Sequence, residues 1–368
     1  MHGRVLRRGA SPRAELPGVR GAAYSVRADM LADLANDADV LYVSPDRKLT
    51  GKLDLTTAAV NAATAWQAGY TGTGIGVAVI DSGVSNHDDL MHQSHRIVYN
   101  QTFVGSPSID QFGHGAHVAG IVAGDGTDSN CSQGGLGHKC IRTYTGVAPG
   151  ANVINLRVLD QNGEGTDSGV ISAINTAIQL KSTYNIRVLN LSLGRPVYES
   201  YTLDPLCQAV ESAWKAGIVV VVAAGNDGRD NSFGNNGYGT ITAPGNDPLA
   251  ITVGAMKTIG TPQRGDDLIA SYSSKGPTAV DHIVKPDLVA PGNLVVSLQA
   301  LTAHLESTYP QNGIPFSTYQ SAPANGTSPQ YYLLSGTSMA TAVVSGAAAI
   351  LLQAYPALTP DQVKGKRL

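Results

Sequence analysis

The apolar pattern of this chain is concentrated in five short runs, "IGVAVIDSG", "ANVINLRVLD", "IRVLNLSLG", "GIVVVVAAGN" and "PLAITVGA", each rich in Val and Ile and bounded by Gly, Asn or Asp. Continuous runs of this kind fit strands buried on both faces, whereas a half-exposed strand alternates apolar and polar positions. Between them lie helical stretches, "TDSGVISAINTAIQLKSTY" and "LDPLCQAVESAWKAG", the second opened by Asp204-Pro205 and closed by Gly217. Strands alternating with helices predict an α/β domain with a mostly parallel central sheet and helices on both faces. Upstream, "VRADMLADLANDADVLYVSPDR" predicts a helix carrying Met30, Leu31 and Leu34, then a short strand over Val40 to Val43. The polar "KLTGKLD" separates this small α+β unit from the larger one. The chain thus divides into a flexible basic tail (1–20), a small unit (21–48), a linker (49–55) and the large domain (56–368). Gln299 to Tyr331, rich in Ser, Pro, Tyr and Gln, reads as a long surface excursion.

Composition narrows the function classes. With 42% hydrophobic and 14% charged residues the chain of 368 residues is globular. A net charge of −3 offers no footprint for nucleic acid, and Arg4, Arg7, Arg8, Arg13 and Arg20 read as a solvated tail. The sequence holds no run of 18 or more purely apolar residues, so no membrane span is predicted. The first residues, "MHGRVLRRGASPRAELPG", lack the apolar core of a secretory signal, which was either removed or never there. Cys131 and Cys140 share a Gly/Ser-rich loop and are read as a disulfide, with Cys207 a free thiol; three free thiols is the other reading. A zinc site has little support, since no second cysteine pair follows.

In parallel sheets chemistry gathers beyond the carboxyl ends of strands, which directs attention to Asp81, Ser192 and Asn226. Taken singly, Asp81 and Asn226 read as turn residues, and Ser338 in "SGTSMATAVVSGAAAILL" as a hydroxyl at a helix start. The pair His114 and His117 in "GHGAHVAG" lacks the four-residue spacing and the Glu of a metalloprotease helix, so a structural role is the default. The joint pattern changes this. Asp81, His114, Asn226 and Ser338 together supply what nucleophilic acyl transfer requires: a hydroxyl, an imidazole to activate it, an acid to hold the imidazole, and a donor for the oxyanion.

At these residues the sequence resembles the subtilase family of subtilisin-like serine proteases, through "VAVIDSGV", "GHGAHVAGI", "LNLSLG", "VVAAGN", "SYSSKGP", "KPDLVAPG" and "SGTSMA". The resemblance covers nearly the whole chain. It implies Ser338 as nucleophile, His114 as base, Asp81 as its orienting acid and Asn226 as oxyanion donor, with His117 a structural companion. It also implies that an extended peptide pairs with strand edges at Gly163, Glu164 and Gly165 and at Ser192, Leu193 and Gly194. Ala223, Ala224 and Gly225 would wall the primary specificity pocket, made shallower by Thr242.

By the same resemblance, 21–48 is the second half of a propeptide that aids folding and inhibits, 49–55 is a processing linker cut between about Asp46 and Asp54, and 56–368 is a peptidase domain truncated at its C-terminus. Asp89 is the expected ligand of a structural calcium, with partners from the loop between Gly124 and Gly146; no cofactor is required for catalysis. Ala116, where the family has Thr, and Ala342-Val343, where Pro-His is commoner, are departures that bear on packing. The expected protein is a secreted, monomeric endopeptidase acting on proteins and peptides and on its own propeptide, without nucleic-acid or membrane partners. A non-catalytic binding module and an esterase are the competing readings.

Overall fold

The computed structural model describes residues 10–16, 21–40, 43, 53–91, 95–130, 141–232, 234–320 and 327–366, in two compact units, 1–50 and 51–368. In the small unit, β1 (Ser11–Leu16) pairs antiparallel with β2 (Gly21–Ser25), and α1 (Leu31–Ala35) follows. Ser11–Leu16 is therefore a strand and not a flexible tail, because hairpin pairing satisfies backbone groups whatever the charge pattern. Leu34 is buried beside Ala10, with Tyr24 and Val26 packed against them, while Leu31 stays exposed. No strand forms at Val40 or Val43; residues 41 and 42 lie outside the described residues.

The large unit opens with α2 (Leu53–Ala59) and α3 (Ala62–Gln67), so helix already occupies the end of the expected 49–55 linker. Then come β3 (Gly76–Asp81), α4 (Asp88–Met91), β4 (Ile97–Thr102), α5 (Gly115–Ala123), β5 (Asn152–Arg157), α6 (Asp167–Tyr184), β6 (Ile186–Leu191) and α7 (Pro205–Lys215). The sheet is completed by β7 (Val219–Ala223), β8 (Ile251–Lys257), β9 (Leu268–Ile269) and β10 (Leu288–Pro291). Its order is β10-β8-β7-β6-β3-β5-β4, all parallel, with β9 antiparallel on β8.

Each of the five apolar runs is one of the strands β3, β5, β6, β7 and β8, and every residue of β3 and of β7 is buried. Both predicted helices form. The Thr166 hydroxyl caps α6, and the Asp204 carboxylate caps α7 at the Leu206 N–H, ahead of Pro205 in the first turn. Two helical layers cover the sheet, α6 packed on α7 and α5 packed on α9 (Thr337–Ala354). The apolar α9 has the length and mean hydropathy (1.5) of a membrane span, yet 72% of it is buried inside the protein, which accounts for its composition. A last helix, α10 (Pro360–Gly365), begins with a Thr359–Gln362 capping box and is tied down by Trp214 Nε1 donating to Asp361 and Lys364 pairing with Asp287.

The stretch from Gln299 to Tyr331 is not a mere surface excursion. β11 (Val295–Leu298), β12 (Gly313–Pro315) and β13 (Thr327–Leu334) form a second sheet, with α8 (His304–Thr308) between β11 and β12. Tyr319 and Tyr331 are fully buried and meet Tyr144 edge-on, with ring centroids 5.7 and 4.8 Å away. Aromatic packing, which its polar composition conceals, orders this segment.

Candidate active site

Asp81 ends β3 with no solvent exposure, and His114 is the N-cap of α5. The two elements approach so closely that a Cβ on Gly115 would lie 2.2 Å from the Gly83 carbonyl and 3.2 Å from the Asp81 Cβ; only glycine fits there. His114 Nδ1 donates to Asp81 Oδ1 at 2.7 Å, an oxygen that also accepts from the Ser82 N–H at 2.7 Å. The imidazole proton is thereby held on Nδ1, leaving the Nε2 lone pair available. Burial opposes the imidazolium, but the charge and hydrogen bond of Asp81, with help from Asp110, hold the His114 pKa above its ordinary value.

Two residues of this network escaped the sequence reading. Asp110 is a buried carboxylate that accepts from the Ser82 hydroxyl (2.9 Å) and from the backbone N–H groups of Phe112 (3.0 Å), Gly113 (2.7 Å) and Ala116 (2.8 Å). Ser82 Oγ in turn accepts from the Gly115 N–H at 2.9 Å. Burial pushes the Asp110 pKa up, yet every bond at its oxygens comes from a donor, an arrangement suited to the ionised form. Asp110 thus ties the turn carrying His114 to the residue after Asp81. An acidic residue a few positions before a glycine-flanked histidine was the only trace in the sequence.

His117, three residues on, faces inward with no exposure. Its Nε2 lies 3.2 Å from the Val295 carbonyl and 3.1 Å from that of Tyr332. Burial, followed by the charge of His114, lowers its pKa to about 3. Between the two histidines, Ala116 is buried against Ala300 and Ala303, so its small side chain matches the wall it meets. Ala342 and Val343 are likewise core residues of α9.

Ser338, in the first turn of α9, meets β6 at its carboxyl end. Ser192 Oγ donates to the Ser338 carbonyl at 2.9 Å, and Ser338 Oγ donates to the Ser192 carbonyl at 3.1 Å, not to His114. Since β6 is the neighbour of β3, Ser338 and the Asp81–His114 pair stand at adjacent strand ends. Asn226, just past β7, has its Oδ1 fixed by the Thr337 N–H (2.9 Å) and hydroxyl (3.1 Å), so its Nδ2 donors point away from Thr337.

A cleft of about 360 Å³ runs from Phe112 and His114 past Gly163, Gly165, Ser192, Leu193 and Gly194 to Arg195 and Leu206. Residues of both expected substrate edges line it. Residues 161–163 turn back on Asp160, whose carbonyl accepts from Gly163 N–H at 3.2 Å, whose carboxylate accepts from Glu164 N–H at 3.0 Å, and whose own N–H donates to the Glu164 carbonyl at 2.8 Å. Ser192–Gly194 continues β6, and the next residue, Arg195, pairs with Ala243. Thr242 lies between the latter segment and Ala223–Gly225. A Cβ on Gly194 would come within 2.6 Å of its Oγ1, and one on Gly225 within 2.8 Å of its Cγ2.

Asp89, the expected calcium ligand, lies beside His87 and Asp128, and residues 131–140 of the loop expected to complete the site lie outside the described residues. Asp89 Oδ1 accepts from the Asp128 N–H (2.8 Å) and its Oδ2 from the Tyr331 hydroxyl (2.9 Å). The ligand atoms of His87, Asp89 and Asp128 lie within 4.8 Å of one another, one of them an imidazole nitrogen. Cys131 and Cys140 lie outside the described residues; Cys207 is free and buried, with its thiol pKa pushed up by burial.

Residues 72–366 match the subtilase family. Serine protease AprX of Bacillus subtilis (strain 168) is 36% identical over 340 residues, covering 90% of this chain and 69% of the relative. Subtilisin E of the same strain is 33% identical over 367 residues, 98% of this chain and 78% of the relative. Among solved structures, Sphericase superposes with a TM-score of 0.59 at 29% identity, over 80% of this chain and 82% of that one.

Proposed function

This chain belongs to the subtilase family and is a subtilisin-like serine endopeptidase, and from that premise we propose how its residues divide the reaction. Ser338 Oγ attacks the scissile carbonyl, His114 Nε2 takes its proton, and Asp81 holds the imidazole and stabilises the imidazolium. His114 then returns the proton to the leaving amine, and water repeats the sequence on the acyl-enzyme. The Asn226 side chain and the Ser338 N–H receive the oxyanion; subtilisin is the known example of such an Asn, so this role is carried over from it. The observation that carries the reading is the 2.7 Å bond from His114 Nδ1 to a fully buried Asp81, which leaves Nε2 as the base.

Ser338 donates to the Ser192 carbonyl in the absence of substrate. A peptide N–H pairing with that carbonyl competes for it and frees the hydroxyl to turn to His114, so binding and activation are coupled. The backbone groups of Ser192–Gly194 and of Gly165 grip the peptide main chain, which gives broad affinity. Thr242 fills the space between Gly194 and Gly225, so Ala223–Gly225 wall a shallow pocket for a small or medium side chain. Cleavage profiling is expected to favour Ala and Leu before the scissile bond, and a strong lead for Phe and Tyr would refute this.

The segment 21–48 acts as a propeptide, released by self-cleavage between about Asp46 and Asp54, and the mature peptidase is secreted and monomeric. Calcium held at Asp89 is tested by a chelator: a lowered melting temperature supports it, and an unchanged one refutes it. A fluorophosphonate probe with mapping of the labelled residue tests the whole assignment. Labelling at Ser338, lost with casein hydrolysis in Ser338→Ala, is expected, and labelling undiminished in that variant would overturn it.

A further inference from the structure

The cleft that His114 lines also carries aliphatic side chains and charged groups that the reaction does not use. Leu159, Val170, Leu193 and Leu206 line it with aliphatic surface, and its charged lining besides His114 is Arg195 and Asp167. All three guanidinium nitrogens of Arg195 are already turned onto protein acceptors. Nε bonds both Asp167 oxygens (3.0 and 2.9 Å), Nη2 bonds both Asp204 oxygens (2.9 and 3.0 Å), and Nη1 donates to the Pro196 carbonyl at 3.1 Å. Asp204 is fully buried and caps α7, so it belongs to the scaffold. The side chain of Asp167 is 44% exposed. One cation between two carboxylates leaves a negative charge in excess, and it is presented at Asp167. Glu164, exposed on the adjoining loop, and half-buried Asp160 add charge of the same sign.

An aliphatic lining in which Val170 and Leu206 are buried, beside a carboxylate that reaches solvent, suits a side chain with an apolar stem and a cationic head. An acidic side chain would meet like charge, and an apolar one would leave Asp167 without a partner from the substrate. We propose that this endopeptidase selects peptides carrying Lys or Arg at one position removed from the scissile bond, and that Asp167 reads that residue. This inference rests on the peptidase reading above and deepens it to a substrate class: cationic peptide segments.

Matched fluorogenic peptides carrying Lys, Leu or Glu at each position flanking a fixed scissile bond provide the test, with wild type, Asp167→Asn and Glu164→Gln. Wild type is expected to favour Lys over Glu in kcat/KM by roughly five- to tenfold at one position, the scale of a partly exposed charge contact plus its repulsive counterpart. Asp167→Asn should reduce that ratio to about two, and added salt should shrink it in wild type only. Cleavage with no charge preference, or a preference that Asp167→Asn leaves intact, overturns the inference and leaves the peptidase reading standing. A preference that only Glu164→Gln removes assigns the recognition to the turn and overturns the role of Asp167. Failure of the probe to label Ser338 in wild type removes both readings together.

Discussion

His114 and His117 begin the same helix three residues apart, and their surroundings drive them to opposite chemistry. His114 keeps one edge open to the cleft and bonds a buried carboxylate, so its pKa is raised; His117 meets only two carbonyls in the core, and its pKa falls to about 3. A basic imidazole therefore needs a charged partner to offset burial, and proximity to solvent alone does not supply it. The helix contributes position, while Asp81, Ser82 and Asp110 contribute function.

The comparison breaks most sharply if the two side chains are removed in turn. His114→Ala should lower kcat by about 10⁶-fold, the size subtilisins show on losing base or nucleophile and not a figure drawn from this geometry. His117→Phe in the same casein assay should lower kcat by less than about threefold once corrected for folded protein, since it touches no reacting atom. Equal losses would erase the distinction.

Asp110→Asn sharpens the comparison by leaving both histidines in place. Removal of the charge should lower kcat about tenfold. It should also shift the acid limb of kcat/KM to lower pH, because His114 loses part of what raises its pKa. A variant that is merely less stable would move the folded fraction and not that limb.

The smallest effects concern stability. Between about pH 3 and 6.5 the unfolded chain protonates His117 while the folded protein does not, so stability is lost as pH falls through that window. His117→Phe removes this liability and leaves two carbonyls short of a donor, at about 1–3 kcal/mol. Urea titrations should show a variant that is weaker at pH 7 and flatter toward acid.

Much of the fold was legible because a sheet buried on both faces writes itself as runs such as "VVVVA", and because Asp204-Pro205 and Gly217 punctuate a helix. The quartet Asp81, His114, Asn226 and Ser338 was legible only jointly, since each alone is an ordinary turn or cap residue. Asp110 was not legible, because its partners Ser82 and Ala116 meet it only when β3 and α5 are folded together. Nor was the second sheet, whose buried Tyr319 and Tyr331 sit in polar sequence, or the satisfaction of Asp89 by Tyr331, more than two hundred residues away.

The most direct test follows the imidazole resonances of the full chain carrying Ser338→Ala by NMR from pH 3 to 9, with His114→Ala and His117→Phe to assign them. The expected result is that His114 titrates above 6.5 while His117 stays neutral down to about 3. Two imidazoles titrating together near 6.5, or a raised pKa that disappears with His117→Phe, would contradict the division of roles between them.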